Sequence, residues 1–240
     1  MSLQHSQEED RLKSVYKERD STGRGTLYSW HNPDVIYTSY RYNHVTSRML
    51  VKAGISDLSS LEILDVGCGR GSFLRLLVDW GASPSSLHGI DLLYDRIEAA
   101  RILAPSIDVR AASALRIPFG EGSMDLVSAN TVLSSVLDDR IRKTIASEIA
   151  RVTRRAGAIF LYDFVISHPL NPNTRKLTFK DVKDLFPEFD FRRMRLTLAP
   201  PIQRELTKLE PVLAHAFEVA FPFLRTHAAY LGIRREPDND

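Results

Sequence analysis

A chain of 240 residues, 43% of them apolar and 26% charged, has the length and composition of one globular domain with a sizeable core. A net charge of +2 and a pI near 8.7 supply no field strong enough to advertise nucleic acid or an anionic membrane. The arginine groups Arg151, Arg154, Arg155 and Arg192, Arg193, Arg195 have no interleaved aromatic platform, so each reads as a solvated face.

In chain order, residues 1–20 are polar and predict a frayed or amphipathic lead-in. Residues 26–46 differ, packing Tyr28, Trp30, Tyr37, Tyr40 and Tyr42 around Asn32-Pro33, a turn that starts a helix. Residues 1–55 are therefore expected to form an N-terminal extension, its aromatic stretch either a lid or packed against the sheet edge, ahead of a main domain over 56–240. From Leu61 onward short apolar runs alternate with helical patterns. Strands are expected at 61–66, 87–90, 107–110, 124–129 and 158–164, the last entered through the Arg-Arg-Ala-Gly turn at 154–157. Helices are expected at 72–80, 94–103 and 138–152. Two further strands, 191–198 and 226–233, flank a helix at 206–220, with Pro200-Pro201 separating that helix from the first of them. Strand–helix alternation implies right-handed crossovers. The expected fold class is α/β, a doubly wound, mostly parallel seven-stranded sheet.

The segment Ile63-Leu64-Asp65-Val66-Gly67-Cys68-Gly69-Arg70-Gly71-Ser72 carries the chemistry. Glycines at the end of a buried strand let backbone N–H groups approach a ligand closely. Ser72 stands where a dinucleotide fingerprint requires its last glycine, and no Gly-Lys-Ser/Thr follows to make a P-loop. Asp91, about twenty residues on, closes the second strand and can accept from both hydroxyls of a ribose. Asp65 would repel a pyrophosphate but suits a ligand carrying an ammonium and a sulfonium. Its alternative is a structural one, capping the turn through local hydrogen bonds. Together these features favour S-adenosyl-L-methionine (SAM) over a dinucleotide.

The stretch Ile63–Leu74 resembles the first motif of class I SAM-dependent methyltransferases of the type 11 kind, and three more blocks follow in order. Residues 89–101 are similar to the second motif, 111–130 to the next and 148–164 to the turn and fifth strand, so that the resemblance covers about residues 60–165. It implies a Rossmann-like methyltransferase fold with SAM as cofactor. It implies that Gly67, Gly69 and Gly71 shape the turn under the methionine part and that Asp65 orders that turn or its water contacts to the amino group. Asp91 would hold the ribose, with Leu92 against the adenine and Asn130 under the methionine end. Ser113 and Ala114 fall where many members carry Asp-Ala; the serine departs from that pattern, so its hydroxyl, or backbone and packing, would serve the adenine N6. Cys68 reads as a small buried residue of the turn, and Arg41 as a partner for the SAM carboxylate. The stretches "YSWHNPDVIY", "RTHAAYLGI" and "TLAPP" are similar to a group of bacterial methyltransferases with no assigned substrate, some of them associated with surface-carbohydrate synthesis.

Methyl transfer needs alignment of acceptor, methyl and sulfur, with a base only where the acceptor must lose a proton. The loop after strand five offers His168 and Asp163 as candidate catalytic bases, with Asn171 nearby; Asp163 could equally anchor the loop. Ser134, Ser135 and Asp138 follow strand four, Asp138 reading as a helix N-cap. No Asn/Asp-Pro-Pro-Tyr/Phe follows strand four, no cysteine pair exists and no metal-ligand cluster stands out. The expected activity is O-methylation of a small-molecule or carbohydrate acceptor. Alternatives are a non-catalytic SAM-binding partner module and an RNA or protein methyltransferase. An NAD-linked short-chain reductase would need Tyr-x-x-x-Lys, and no tyrosine has a lysine four residues on. One cysteine, no leader-like start and only the short apolar stretch 158–166 give the expectation of a soluble, cytoplasmic chain without a membrane span.

Overall fold

The computed structural model describes residues 3–21, 29–167 and 171–235. Five parallel strands follow one another with helices between them, except from β3 to β4: β1 (Ile63–Val66), α3 (Ser72–Asp79), β2 (Leu87–Asp91), α4 (Tyr94–Leu103), β3 (Asp108–Ala111), β4 (Met124–Asn130), α5 (Asp139–Val152) and β5 (Thr153–Phe164). Ahead of them stand α1 (Leu3–Ser21) and α2 (Pro33–Lys52). After them come α6 (Phe179–Leu185), β6 (Phe189–Leu198), α7 (Pro200–Leu209), α8 (Pro211–Ala220) and β7 (Arg225–Arg234). The sheet order is β3-β2-β1-β4-β5-β7-β6, with β7 inserted antiparallel between β5 and β6.

The strands at the centre are largely buried because both faces are covered. One face carries α2, α3 and α4, packing Val45, Met49, Leu74, Leu77 and Ile97 against Ile63, Leu126 and Phe160. The other carries α5 and α6, with Ile141, Ile145, Ile149 and Val182 against Leu64, Val127 and Ile159. All five parallel strands point their carboxyl ends to one edge, and the chain reverses direction of winding between β1 and β4. That edge is where an open α/β sheet binds ligands.

Four elements differ from the sequence expectation. The Arg-Arg-Ala-Gly turn does not precede β5 but lies within it as a bulge: the register slips between Met124 and Leu126, and Ala156 takes φ 56°. The helix expected at 206–220 is two helices. Glu210 is extended (φ −159°, ψ 133°) because the ring of Pro211 bars α geometry from the residue before it. Pro200 starts α7 at its first position rather than separating the helix from β6. In place of a frayed lead-in, Leu3–Ser21 forms the helix α1, docked across the carboxyl edge of the parallel strands.

Candidate functional site

β1 ends into a turn in which Gly67, Gly69 and Gly71 all take positive φ (71°, 54° and 73°). At Gly67 a side chain is also excluded by space, since a Cβ would lie 2.5 Å from Val132 Cγ2 on the facing loop. The turn is held from β2: Gly67 and Cys68 N–H both donate to Ile90 O, and Gly69 N–H donates to Asp91 Oδ2 at 2.9 Å. Cys68 packs inward over Gly89, where a Cβ would stand 2.8 Å from its Sγ. Burial pushes its thiol pKa far up, so it acts as a small core residue.

Beside this turn lies an open cleft of about 860 Å³. Its floor and walls bring together Gly67, Asp91, Leu92, Ser113, Ala114 and Asn130, six of the positions singled out in the sequence. Asp91 Oδ1 accepts Leu93 N–H at 2.9 Å and Ser113 Oγ accepts Leu115 N–H at 3.1 Å, so both side chains are fixed by their own loops. The roof is α1, with Glu8, Glu9, Leu12 and Tyr16 facing the cleft. It is pinned by Arg11, which donates to Ser135 O and to Glu8, by Glu8 receiving Leu137 N–H, and by the Arg96 guanidinium stacked 4.4 Å over the Tyr16 ring. An adenosyl ligand matches this lining: an acidic group at the end of β2 for vicinal hydroxyls, apolar Leu92 and Ala114 for a flat ring, and a glycine turn open to close backbone approach. Gly69 in particular has nothing within 4 Å of where a Cβ would be.

Asp65 does not order the glycine turn, which is Asp91's task. Its Oδ1 instead accepts from Ser128 Oγ (2.6 Å) and Asn130 Nδ2 (3.3 Å), tying β1 to β4. Asn130 Oδ1 in turn accepts from the Tyr42 hydroxyl at 2.8 Å, so a helix of the N-terminal segment is wired into the same chain of hydrogen bonds. Burial raises the Asp65 pKa to about 7, the hydrogen bonds from Ser128 and Asn130 opposing that shift. Thr131, next after β4, holds φ 56°, a costly conformation for a β-branched residue, and donates its N–H to Tyr162 O.

The candidate bases fare differently. His168 lies outside the described residues, as does Tyr28. Asp163 is 1% exposed, and its oxygens accept Ser134 N–H (3.0 Å) and Phe164 N–H (2.9 Å). Burial lifts its pKa to about 6, yet it does not line this cleft: it anchors the loop after β4, where the sequence pointed to the loop after strand five. A base needs an oxygen open to the acceptor, and this one is walled in. Arg41 also departs from expectation. Its Nη2 and Nε meet Glu218 at 2.7 and 3.1 Å, and Tyr37 donates to the same carboxylate, which is wholly buried. With its charge neutralised by α8, it is not directed at a ligand carboxylate. Trp30 is 80% exposed and covers nothing. Asp138 caps α5 through Arg140 and Ile141 N–H, and Asn171 accepts Asn173 N–H in its own turn.

One group escaped the sequence reading. His227, at the start of β7, lies on the same sheet edge, its ring stacked on Tyr162 (5.2 Å) and tilted on Phe164 (4.3 Å). Its Nδ1 meets Thr197 Oγ1 at 2.8 Å and Thr226 Oγ1 at 3.1 Å, and each hydroxyl already donates to a backbone carbonyl. With the hydroxyl protons so placed, both oxygens can accept from Nδ1, the tautomer that leaves the lone pair on Nε2. Burial lowers its pKa to about 4, and Thr197 holds φ 57° to aim its hydroxyl there. Three residues from two strands had to meet before this could be seen.

Residues 64–161 match the family model described as "Methyltransferase domain". Among curated proteins, O-methyltransferase cnsE of Penicillium expansum is 30% identical over 148 residues, 58% of this chain and 51% of that protein. The chain thus spans about half the length of the curated relatives it matches. Among solved structures, a SAM-dependent methyltransferase from Archaeoglobus fulgidus superimposes with a TM-score of 0.58 at 16% identity, over 80% of this chain and 94% of that one. The [4+2]-cyclase SpnF superimposes with a TM-score of 0.56, also at 16% identity, over 80% and 81%. The fold is the class I SAM-dependent methyltransferase fold.

Proposed function

We propose that this chain is a SAM-dependent methyltransferase acting at an oxygen of a small-molecule or carbohydrate acceptor. The observation that carries the proposal is the convergence of the glycine turn, Asp91 and Asn130 on one cleft at the carboxyl edge of the sheet. When bound, SAM supplies a methyl group on a cationic sulfur, ready for in-line displacement. Asp91 keeps lone pairs for ribose hydroxyls beyond those taken by Gly69 and Leu93. Leu92 and Ala114 give the adenine an apolar bed. Asp65, behind Asn130, sets a carboxylate near the methionine end, and a cation there favours its ionised form. Helix α1 shields the cleft from water, which strengthens these interactions.

Support for an oxygen acceptor comes from the matched O-methyltransferase. Calorimetric titration with SAM, S-adenosylhomocysteine and NAD tests the cofactor. Micromolar-range binding of both adenosyl ligands and none of NAD is expected; NAD binding, or no adenosyl binding, would remove the basis of the proposal. Mass spectrometry of phenol and sugar panels incubated with SAM then reads the acceptor as a gain of one methyl on oxygen.

A further inference from the structure

Helix α8 is built inside out. Ala214 and Glu218 face the protein, while Val212, Leu213, Ala216, Val219 and Ala220 share the opposite face of the helix and are exposed. Its orientation is fixed. Glu218 is wholly buried, with Oε1 2.7 Å from Arg41 Nη2 and Oε2 2.7 Å from the Tyr37 hydroxyl, and Arg225 donates to its backbone carbonyl at 2.8 Å. Rolling α8 to bury its valines would pull that carboxylate off Arg41 and break a buried ion pair. The apolar stripe continues past both ends of the helix. Leu209 closes α7 just ahead of it; Phe221 and Phe223 follow it edge to face, with Phe221 packed on Phe217 at 4.5 Å. Val212 and Phe223 are 67% and 66% exposed. With Leu209, Leu213, Val219 and Phe221 they leave on the order of 700 Å² of apolar surface in water, more than the largest patch of a typical monomer at about 300–600 Å².

Charge and area say what covers this face. From Leu209 to Phe223 the only exposed carboxylate is Glu210, no lysine or arginine occurs, and His215 stands to one side of the stripe. A lipid surface is held by cations set beside the apolar residues. Those of α7 are committed elsewhere, Arg204 to Asp34 at 3.2 Å and Lys208 to Glu205 at 2.7 Å. A symmetric pair of copies asks for the opposite. Each residue there meets its own counterpart or a neighbour of it, so a patch without charge fits itself. The area agrees, since a specific interface takes about 800 Å² from each partner and the alanines and prolines between the larger side chains add to the apolar total. Ala216 lies in the middle of the stripe, Val212 one turn before it and Val219 nearly one turn after it, a small residue where two helices can cross closely. We propose that this face is the contact between two copies of the chain, their α8 helices crossing at Ala216. Such pairing stands apart from the chemistry of the cleft and does not depend on which acceptor the cleft serves.

Light scattering on the full chain after size exclusion, at micromolar loading, is expected to read twice the 27.2 kDa of one chain. Val219→Asp sets two carboxylates against each other across the contact and is expected to halve that mass. Its far-ultraviolet circular dichroism should stay unchanged, because the side chain it replaces is already in water. Ala216→Cys is expected to trap the dimer as a disulfide under copper–phenanthroline oxidation. Ile102→Cys, exposed on α4 at the other end of the sheet, is not, and the native Cys68 is buried. If Val219→Asp fails to fold, the cysteine trap decides alone. A single-chain mass at every loading overturns the proposal. So does a dimer that survives Val219→Asp, or one that Ala216→Cys does not trap, since either would put the contact elsewhere. A single chain that floats with phosphatidylglycerol vesicles overturns it too, and gives the face to lipid.

Discussion

Two aspartates near the glycine turn divide the work in a way their spacing did not announce. Asp91 receives Gly69 and Leu93 N–H, so it holds the turn as well as facing the cleft, whereas Asp65 looks sideways to Ser128 and Asn130. The residue that a ribose would meet is thus also a brace. Asp91→Asn keeps the shape but replaces an acceptor by an amide, which can no longer take both N–H groups and both hydroxyls. It is expected to weaken S-adenosylhomocysteine by about tenfold or more and to cost roughly 1–2 kcal/mol of stability. Calorimetry and denaturant melts check the two effects separately; full affinity in Asp91→Asn would place the ribose elsewhere. Asp91 was legible because an acid at the end of the second strand has a fixed place in such sheets. The brace was not, because Gly69 lies 22 residues away along the chain.

At the scale of elements, the cover of the cleft is α1 and not the aromatic stretch that looked like a lid. The reason lies in periodicity. Glu9, Leu12 and Tyr16 fall on one helical face, but only Leu12 among them is aliphatic, so the sequence reads as polar. Its binding surface is made of hydrogen bonds to loop backbone, supplied by Arg11 and Glu8 to Ser135 and Leu137. The aromatic stretch is instead the start of α2, whose Tyr37 and Arg41 hold the buried Glu218 of α8 and whose Tyr42 reaches Asn130. A helix held by few polar contacts opens readily. Adenosyl ligands are therefore expected to slow amide exchange throughout α1. Arg11→Ala should abolish that protection and weaken the ligand several-fold, leaving the melting temperature nearly unchanged. Hydrogen-exchange mass spectrometry reads it directly, and an α1 already fully protected without ligand would refute the coupling.

For the whole molecule, buried titratable groups set how stability follows pH. Asp65 and Asp163, raised by burial to about 7 and about 6, hold their protons in the folded state where the unfolded chain has lost them. Each therefore contributes stability that is full below the ordinary carboxylate pKa and lost as pH rises through its folded value. His227, lowered to about 4, works the other way: the unfolded chain takes a proton first, so stability is lost as pH falls from the ordinary histidine pKa towards 4. Asp65→Asn, whose oxygen still accepts from Ser128 and Asn130, should gain on the unsubstituted chain as pH is raised from 4 to 8, by on the order of a few kcal/mol at the upper end. Thermal melts across that range check it, and a gap that does not widen with pH would mean that Asp65 is already ionised well below 7.

The sequence by itself determined the sheet and pointed to the carboxyl edge of its parallel strands, where the cleft lies. Periodicity, glycine conformation and strand-end acids act over a few residues and point to Gly67, Gly69, Gly71 and Asp91; the places of Leu92, Ser113 and Asn130 came from the resemblance to a known family. Membership of one cleft for Gly67, Asp91, Leu92, Ser113, Ala114 and Asn130 followed once the strands lay side by side. Only the tertiary structure decided the rest: the roof of α1, the pairing of Arg41 with Glu218 across 177 residues, the walling-in of Asp163, and His227 fixed by Thr197 on the neighbouring strand. Those are choices of partner. A side chain carries its hydrogen-bonding capacity in the sequence, but which donor or acceptor fills it depends on what the fold brings within 3 Å, and there local pattern has no reach.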